Sequence, residues 1–371
     1  MKTKVAIARC SNYSSQQVDS AVNRVLNLLG GIESFIKPKS KVLIKPNLLT
    51  DNKPEDCITT HPRVLESIID SVKKTDSEVF VGDSPSVFGE KRDVDRVYEV
   101  TGMKEICDRK KVKMVYFDKA VLKNGIPLTE WIERCDYIIN VPKFKTHGLT
   151  ILTAGVKNLF GLVLGMHKMK IHKECLDVKK FSERVVDIFE SAKPTLTIVD
   201  AVIALEGDGP GSSGTKTDTE LILASSDAVA IDSVLAAIMG IFPEDVPTTK
   251  EASRRNLGES DLHVIEIIGD NLGEFIYSNF KLPKSSLISN MPKPLLGIAK
   301  QLIWHKMQVI KDNCRSCKKC IEICPAGAIH LEETKAFIDP RKCILCCCCQ
   351  EICPHKAITL NKSLLLKMIG V

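Results

Sequence analysis

The stretch Cys314-Arg-Ser-Cys317-Lys-Lys-Cys320-Ile-Glu-Ile-Cys324-Pro325 recurs with the same spacing as Cys343-Ile-Leu-Cys346-Cys-Cys-Cys349-Gln-Glu-Ile-Cys353-Pro354. Each copy follows the pattern C-x2-C-x2-C-x3-C-P. Thiols at three-residue steps let one loop wrap three corners of a cubane iron–sulfur cluster, while the fourth cysteine lies on the helix that follows. The repeat therefore predicts two [4Fe–4S] clusters near the C-terminus of this chain of 371 residues.

Zinc binding and disulfide bonding fit these cysteines less well. Zinc sites usually show C-x2-C pairs separated by a longer span, without a triplet followed by Cys-Pro. A disulfide framework needs an oxidising compartment. The chain has 15 cysteines, and its first segment, Met1–Arg9, shows no apolar signal region. These features predict a reducing interior and a cytoplasmic location, and oxygen-labile clusters predict an anaerobic or microaerobic host.

Residues 306–362 resemble a bacterial-type two-cluster ferredoxin, in which the fourth cysteine of each motif binds the other cluster. The second motif departs from the usual pattern because Cys347 and Cys348 fill its spacer positions. We interpret both as bystanders, with ligand exchange as the alternative. The resemblance implies that one cluster is held by Cys314, Cys317, Cys320 and Cys353, and the other by Cys343, Cys346, Cys349 and Cys324.

The net charge of +6 lies in the cysteine-rich C-terminal part of the chain. An oxidised cubane with four thiolates carries about −2, so two clusters would offset much of this charge. Nucleic-acid binding is the alternative explanation of the basic excess, but charge compensation is simpler, and we predict no nucleic-acid partner. No apolar run approaches the roughly 18 residues that a membrane span needs.

The first 270 residues alternate strand-like and helix-like segments. Apolar periodicity predicts helices at Gln16–Leu29, Arg63–Val72 and Asp227–Met239. This order predicts an α/β fold with an open, mainly parallel sheet covered by helices on both faces, followed by a small α+β ferredoxin domain. The predicted strands are Lys4–Ala8, Lys41–Lys45, Glu78–Gly82, Lys113–Phe117, Tyr137–Val141, Thr195–Asp200, Glu220–Ala224 and His263–Gly269.

Prolines and serines between residues 275 and 300 mark a junction between domains. Leu295–Ile310 then shows an amphipathic helical pattern. We interpret it as a linker helix packed between domains, with membrane association as the alternative. The chain is thus predicted to comprise an α/β domain (1–275), a linker with this helix (276–305), a two-cluster ferredoxin domain (306–362) and a tail (363–371).

Polar motifs follow several of the predicted strands. In open α/β sheets, ligands bind at the carboxyl ends of the strands. Taken singly, these motifs could be helix caps or turns, but together they predict a functional cleft. The motifs are Lys45-Pro-Asn47, Gly82-Asp-Ser-Pro85, Asn140-Val-Pro-Lys-Phe-Lys-Thr-His147, Asp200 and Glu206-Gly-Asp-Gly-Pro-Gly-Ser-Ser-Gly214.

The segment Lys143–Lys173 contains no Asp or Glu. Because lysines bind phosphate as point charges, this segment predicts an anionic substrate or cofactor. No Walker loop is present in the chain, so nucleotide binding has no support from that motif. The basic residues of the segment are Lys143, Lys145, His147, Lys157, His167, Lys168, Lys170, His172 and Lys173.

These motifs, with Gly155-Val-Lys-Asn158 and Gly161, resemble the widespread prokaryotic family known as domain of unknown function 362, over roughly residues 40–240. The resemblance implies an iron–sulfur protein, since the family often carries a C-terminal pair of cubane clusters. Its motifs mark a site without naming a reaction. We predict Lys145 and His147 as catalytic residues that donate protons or stabilise charge. The predicted substrate-binding residues are Lys45, Asn47, Asp83, Ser84, Asn140, Lys143, Lys157, Asn158, His172, Glu206 and Asp208.

Three functions are compatible with this sequence. The first is an oxidoreductase that receives low-potential electrons from a redox partner such as reduced ferredoxin. Its electrons would reach an anionic substrate, or a further cofactor of unknown identity, in the α/β cleft. The second is an electron carrier or maturation factor without catalysis, and the third is a lyase or isomerase with structural clusters. Covalent fusion of an electron carrier to a cleft favours the first.

Overall fold

The computed structural model describes residues 2–85, 91–165, 167–175, 177–283 and 305–362. The strands are β1 (Lys4–Arg9), β2 (Lys41–Pro46), β3 (Glu78–Val81), β4 (Lys113–Met114), β5 (Ala120–Lys123), β6 (Ile126–Thr129), β7 (Tyr137–Val141), β8 (Lys143–His147), β9 (Ile151–Thr153), β10 (Leu196–Gly207), β11 (Gly214–Ser225), β12 (Glu266–Gly269), β13 (His305–Val309), β14 (Ile329–Glu332), β15 (Lys335–Ile338) and β16 (Ile358–Lys362). The helices are α1 (Ser15–Leu28), α2 (Pro62–Lys73), α3 (Lys91–Val100), α4 (Met103–Lys110), α5 (Trp131–Arg134), α6 (Gly155–Asn158), α7 (His167–Glu174), α8 (Val178–Ala192), α9 (Ala228–Ile238), α10 (Pro247–Arg254), α11 (Lys319–Glu322) and α12 (Cys348–Ile352).

The large sheet contains ten strands, and most of its neighbours run parallel. Its main path is β12-β1-β11-β10-β7-β2-β3-β4. Along this path only β11 runs antiparallel to its neighbours, whereas the other adjacent strands are parallel. Strand β8 pairs in parallel with the distal half of β10 and carries β9 on its other side. The predicted open, mainly parallel sheet is confirmed.

Strand β1 shows why helices cover both faces of this sheet. Successive side chains of a strand point to opposite faces. Ala6 and Ala8 pack in a core with apolar side chains of α1 and α2. Val5 and Ile7 pack on the other face with apolar side chains of α9, including Val234. Both faces are therefore buried, as predicted.

Strands β10 and β11 of the α/β domain are longer than predicted. Thr195–Asp200 and Glu220–Ala224 are only parts of β10 and β11, which pair antiparallel over 12 residues each. Their continuation contains the two ends of the polar motif 206–214, because β10 extends to Gly207 and β11 begins at Gly214. Lys113–Phe117, by contrast, is reduced to a two-residue strand.

The C-terminal domain has two antiparallel strand pairs, β13 with β16 and β14 with β15, and two short helices within the cysteine motifs. The predicted helix Leu295–Ile310 is wrong at its C-terminal end, because residues 305–309 form β13. Lys306 and Gln308 are exposed while Met307 is buried. This alternation with a period of two residues is that of a strand and not of a helix. The rest of that helix and the tail 363–371 lie outside the described residues.

Within the described ranges, none of the helices has the length and apolarity that crossing a membrane requires.

Candidate functional site

A cavity of about 100 Å³ lies where the α/β domain meets the cysteine-rich domain. We call it the interface cavity. The cysteine-rich domain contributes Ile323, Cys348, Glu351 and Ile352 to its wall. Most of the predicted site residues line it from the α/β side: Lys45, Asn47, Asp83, Ser84, Lys145, His147, Lys157, Asn158 and His172.

Parallel pairing of β2 with β3 brings the first two polar motifs together. Ile44 is opposite Val81 in this pair, so the residues just beyond them, Lys45 and Asp83, lie side by side. Lys45 Nζ is 2.8 Å from Asp83 Oδ1, and both side chains are buried. The other carboxylate oxygen accepts a hydrogen bond of 2.7 Å from the backbone N–H of Leu48. A buried charge needs such a partner because desolvation alone would be costly.

Gly161 packs directly against this ion pair. A Cβ atom at position 161 would overlap Asp83 Oδ1 and lie 2.6 Å from Lys45 Nζ. The Gly161 carbonyl also accepts a hydrogen bond of 3.2 Å from the Ser84 N–H. Glycine therefore allows the turn at residues 159–162 to approach the ion pair closely.

Three asparagines connect the ion pair to helix α6. Asn158 Oδ1 accepts hydrogen bonds from Lys45 Nζ at 3.2 Å and from Asn47 Nδ2 at 2.9 Å. Asn158 Nδ2 donates to Asn140 Oδ1 at 2.8 Å, and Asn140 Nδ2 donates to the Gly155 carbonyl at 2.8 Å. Asn140 thus lies beneath the interface cavity and holds α6 in place, without lining the cavity itself.

Lys145 lies on strand β8, in a segment whose polar sequence does not predict a strand. The strand is buried along its whole length. Lys145 Nζ donates a hydrogen bond of 2.7 Å to the Ile58 carbonyl. Burial lowers the pKa of Lys145 to about 7. This amine can therefore give up or accept a proton near neutral pH, as a general acid or base requires.

His147 and Glu351 meet across the boundary between the domains. His147 Nε2 is 3.3 Å from Glu351 Oε1, which is an ion-pair distance. The pair lacks hydrogen-bond geometry, and Glu351 Oε1 has no hydrogen-bond partner in the described chain. His147 Nδ1 accepts from the backbone N–H groups of Leu149 and Thr150. Because burial lowers the pKa of His147, the ring is neutral and carries its proton on Nε2.

Lys157 and Lys168 add two more ammonium groups to the cavity wall. Lys157 Nζ lies 4.6 Å from the ring centre of Phe160 and 5.2 Å from that of Phe181, as in cation–π contacts. Lys168 Nζ donates a hydrogen bond to the Ser84 carbonyl. Burial lowers the pKa of Lys157 to about 8 and that of Lys168 to about 7.

Lys143, Glu206 and Asp208 were also predicted to bind substrate, but they do not line the interface cavity. Lys143 Nζ lies 3.0 Å from Asp200 Oδ2 in a separate buried ion pair. Glu206 Oε1 lies 3.1 Å from Lys281 Nζ. Together with Asn140, these residues can reach a ligand in this cavity only through other side chains.

Sequence reasoning missed Lys168 and Glu351 as site residues. Lys168 lies in the segment Lys143–Lys173, which contains no Asp or Glu. This composition could have identified Lys168 as a site residue. Glu351 occupies a spacer position of the second cysteine motif, where any residue satisfies the pattern. Nothing in the sequence indicates that its side chain turns toward His147.

Two smaller cavities in the C-terminal domain divide the eight motif cysteines into sets of four. Within the described chain, no three His, Cys, Asp or Glu side chains converge on a point that would suit one metal ion. Four thiols spread around a cavity fit a cubane cluster better than a single zinc ion. The first cavity is lined by Cys314, Cys317, Cys320 and Cys353, and the second by Cys324, Cys343, Cys346, Cys349 and the additional Cys347.

Comparisons with known proteins address the family of the chain. Residues 42–237 match the family model described as domain of unknown function (DUF362), and residues 307–330 match that of a 4Fe-4S binding domain. A thylakoid-associated protein of Synechocystis sp. (strain ATCC 27184 / PCC 6803 / Kazusa) is 32% identical over 292 residues, which cover 76% of this chain and 89% of that protein.

Among solved structures, the lactate racemase apoprotein from Thermoanaerobacterium thermosaccharolyticum is similar with a TM-score of 0.42 and 11% identity. The match covers 65% of this chain and 58% of the racemase, and it is too distant to bear on function. The two family matches and the Synechocystis relative do establish a family. The chain belongs to the DUF362 family and carries a C-terminal 4Fe-4S binding domain, and it is therefore an iron–sulfur protein.

Proposed function

We propose that this protein is an oxidoreductase that carries low-potential electrons through two [4Fe–4S] clusters to an anionic molecule in the interface cavity. A shared helix is the observation that supports this proposal. Cys348, Glu351 and Ile352 of α12 line the interface cavity. The same helix contains Cys349 and is followed directly by Cys353. Cluster-binding sulfurs are thus close in sequence to side chains that would touch the ligand.

The two clusters are assigned to the two cysteine cavities. When bound, [4Fe–4S] clusters supply single electrons at potentials that the surrounding protein tunes. The 4Fe-4S family match covers only the first motif. The second cluster rests on the repeated spacing and on the four thiols around the second cavity. Anaerobic reconstitution should therefore give about eight irons and eight sulfides per chain, whereas about four irons would contradict the second cluster.

Lys145 and His147 are the proposed proton donors. The Lys145 amine has a pKa of about 7, so a protonated fraction is present at neutral pH and can follow an electron onto the substrate. The Nε2–H of His147 can stabilise negative charge that develops on a reduced substrate. Both side chains line the interface cavity.

The proposed location of the protein is the cytoplasm. The proposed redox partner is an acidic electron-donor protein of the ferredoxin kind. Cys317 is exposed at the first cysteine cavity, where Arg315 and Lys318 are also exposed. The residues that the structure describes around the second cysteine cavity are uncharged. Complementary charge would steer an acidic partner to the first cavity.

Electron delivery to small anions tests the proposed function. Iron-loaded protein would receive electrons from a reduced donor under anaerobic conditions, and donor oxidation would be followed with each of a panel of small anions. We expect oxidation that depends on one anion and is lost in Lys145→Met, with iron content retained. Lys170→Met is the matched control, because Lys170 is 67% exposed and pairs with the exposed Glu174 on its own helix. Donor oxidation that is independent of every anion, and equal in both variants, would instead indicate a simple electron carrier.

A further inference from the structure

The interface cavity has an unbalanced set of ammonium groups. Lys45 is neutralised by Asp83 at 2.8 Å. Lys145 contacts a carbonyl oxygen, Lys168 contacts another, and Lys157 contacts aromatic rings. The contacts of these three nitrogen atoms are thus with carbonyl oxygens and aromatic rings. Lys145 and Lys157 are buried, whereas Lys168 is partly exposed. Burying an ammonium group without an anionic partner in contact is costly.

Among the described residues of the cavity wall, Glu351 is the carboxylate that remains besides Asp83. It faces His147 at 3.3 Å, and His147 is neutral because burial lowers its pKa. When the amines of Lys145, Lys157 and Lys168 are all protonated, the carboxylate of Glu351 leaves an excess of two positive charges, and a bound anion favours this fully protonated state. A ligand with two negative charges would balance the cavity.

Unpartnered polar atoms surround the same space. In the described chain, buried side-chain atoms without a hydrogen-bond partner include Asn47 Oδ1, Thr153 Oγ1, His172 Nδ1 and Glu351 Oε1. All four residues line the interface cavity. Native proteins leave few buried polar atoms unsatisfied, so a concentration of them in one cavity points to a missing polar ligand. Asn47 and Glu351 offer acceptor oxygens, which suit the hydroxyl groups of such a ligand.

The arrangement of the cations distinguishes between dianions. Lysine binds phosphate as a point charge. A phosphate group concentrates two negative charges on one centre, which suits the ammonium groups of Lys145, Lys157 and Lys168 around one small cavity, whereas a dicarboxylate separates its two charges. Leu49, Phe160 and Met169 give the cavity an apolar part.

We propose that the interface cavity binds the phosphate group of a small, hydroxylated phosphorylated molecule, with Lys145, Lys157 and Lys168 around the phosphate. This inference rests on the proposed function in using the same cavity for the substrate. Glu351 faces the hydroxylated part of the ligand and keeps a third negative charge out of the cavity.

Binding of inorganic phosphate can be measured without electron transfer. Isothermal titration calorimetry would use the oxidised, iron-loaded full chain at pH 7, with phosphate, succinate and acetate as probes. We expect phosphate to bind at least ten-fold more tightly than succinate or acetate. Lys157→Gln should weaken phosphate binding at least ten-fold, because its ammonium makes no hydrogen bond in the described structure that the fold would lose. Lys170→Gln, on the exposed face of α7, should bind phosphate like the wild type.

Equal phosphate affinity in the wild type and in Lys157→Gln would overturn the inference, as would tighter binding of succinate or acetate than of phosphate. Iron content and circular dichroism establish that Lys157→Gln is folded, and Lys168→Gln provides a second variant with the same expected loss. Phosphate binding without electron delivery to any acceptor would refute the proposed function and leave this inference intact. Electron delivery to a monoanion, without phosphate binding, would refute this inference and leave the proposed function intact.

Discussion

Replacing Asp83 by asparagine leaves the Lys45 ammonium buried without its counter-ion. The two side chains are 0% and 2% exposed, and their charged atoms are 2.8 Å apart. Asparagine keeps the shape and one oxygen for the N–H groups of Leu48 or Ser84, so the change is mainly one of charge. Removing one member of a buried ion pair costs about 3–5 kcal/mol. At about 1.4 kcal/mol per factor of ten, we expect the unfolding equilibrium constant to rise by two to almost four orders of magnitude.

Urea denaturation of iron-loaded protein, followed by circular dichroism under anaerobic conditions, measures this loss. The matched control is Glu78→Gln, since Lys113 and Glu78 also lie 2.8 Å apart but are 71% and 45% exposed. An exposed pair contributes about 0–1 kcal/mol. In a Lys45→Met background the cost of Asp83→Asn should fall by about 0.5–3 kcal/mol, because no buried ammonium remains to be paired. If Asp83→Asn lowers the free energy of unfolding no more than Glu78→Gln does, the conclusion that Asp83 stabilises the fold as the buried counter-ion of Lys45 is refuted.

Three further predictions concern proton binding, the clusters and packing. The pKa of Lys145 is about 7 in the fold and about 10.5 in an unfolded chain. Between these pH values only the unfolded chain holds the proton, so the free energy of unfolding of the ligand-free protein should increase as the pH rises. The urea midpoint should therefore rise less steeply with pH in Lys145→Met than in the wild type. The variant Cys317→Ser/Cys353→Ser should retain about four irons, because both cysteines are assigned to the first cluster, whereas Cys317→Ser/Cys324→Ser should lose both clusters. If iron analysis finds more iron in Cys317→Ser/Cys324→Ser than in Cys317→Ser/Cys353→Ser, the fourth cysteine of each motif does not bind the other cluster. Gly161→Ala should destabilise the protein by about 1–3 kcal/mol in urea titrations, since its Cβ would overlap the Asp83 carboxylate; an unchanged midpoint would show that the turn can move away.

The parallel sheet and the meeting of Lys45 with Asp83 could be predicted because they follow from local patterns. Short apolar strands with polar residues at their carboxyl ends are typical of α/β folds, and neighbouring parallel strands bring those ends together. The β8 strand could not be predicted in this way. Lys143–His147 has the composition of an exposed segment, yet it is buried, because Asp200 and the Ile58 carbonyl supply partners for its lysines. Both partners come from distant parts of the chain.

The contacts at the boundary between the domains also could not be predicted from the sequence. The C-x3-C spacing constrains the cysteines that flank Glu351 but not the direction of its side chain. That direction depends on how the cysteine-rich domain docks, and docking depends on contacts with no local signal. One such contact is the ion pair of Lys319 with Asp51, at 3.1 Å. Another is the hydrogen bond of 2.5 Å from Ser212 Oγ to the Cys353 carbonyl.

These docking contacts explain why the interface cavity and the cysteine motifs depend on each other. Ser212 donates to the carbonyl of Cys353, a cysteine assigned to the first cluster. A Cβ atom at Gly211 would lie 2.5 Å from the Glu351 carbonyl, so the α/β domain approaches the backbone of α12 closely. The backbone that presents the cluster cysteines is therefore the same backbone that places Glu351 beside His147. A change in the position of α12 would alter both the cluster environment and the charge balance of the cavity. This arrangement suits a protein in which electron transfer and anion binding occur at one interface.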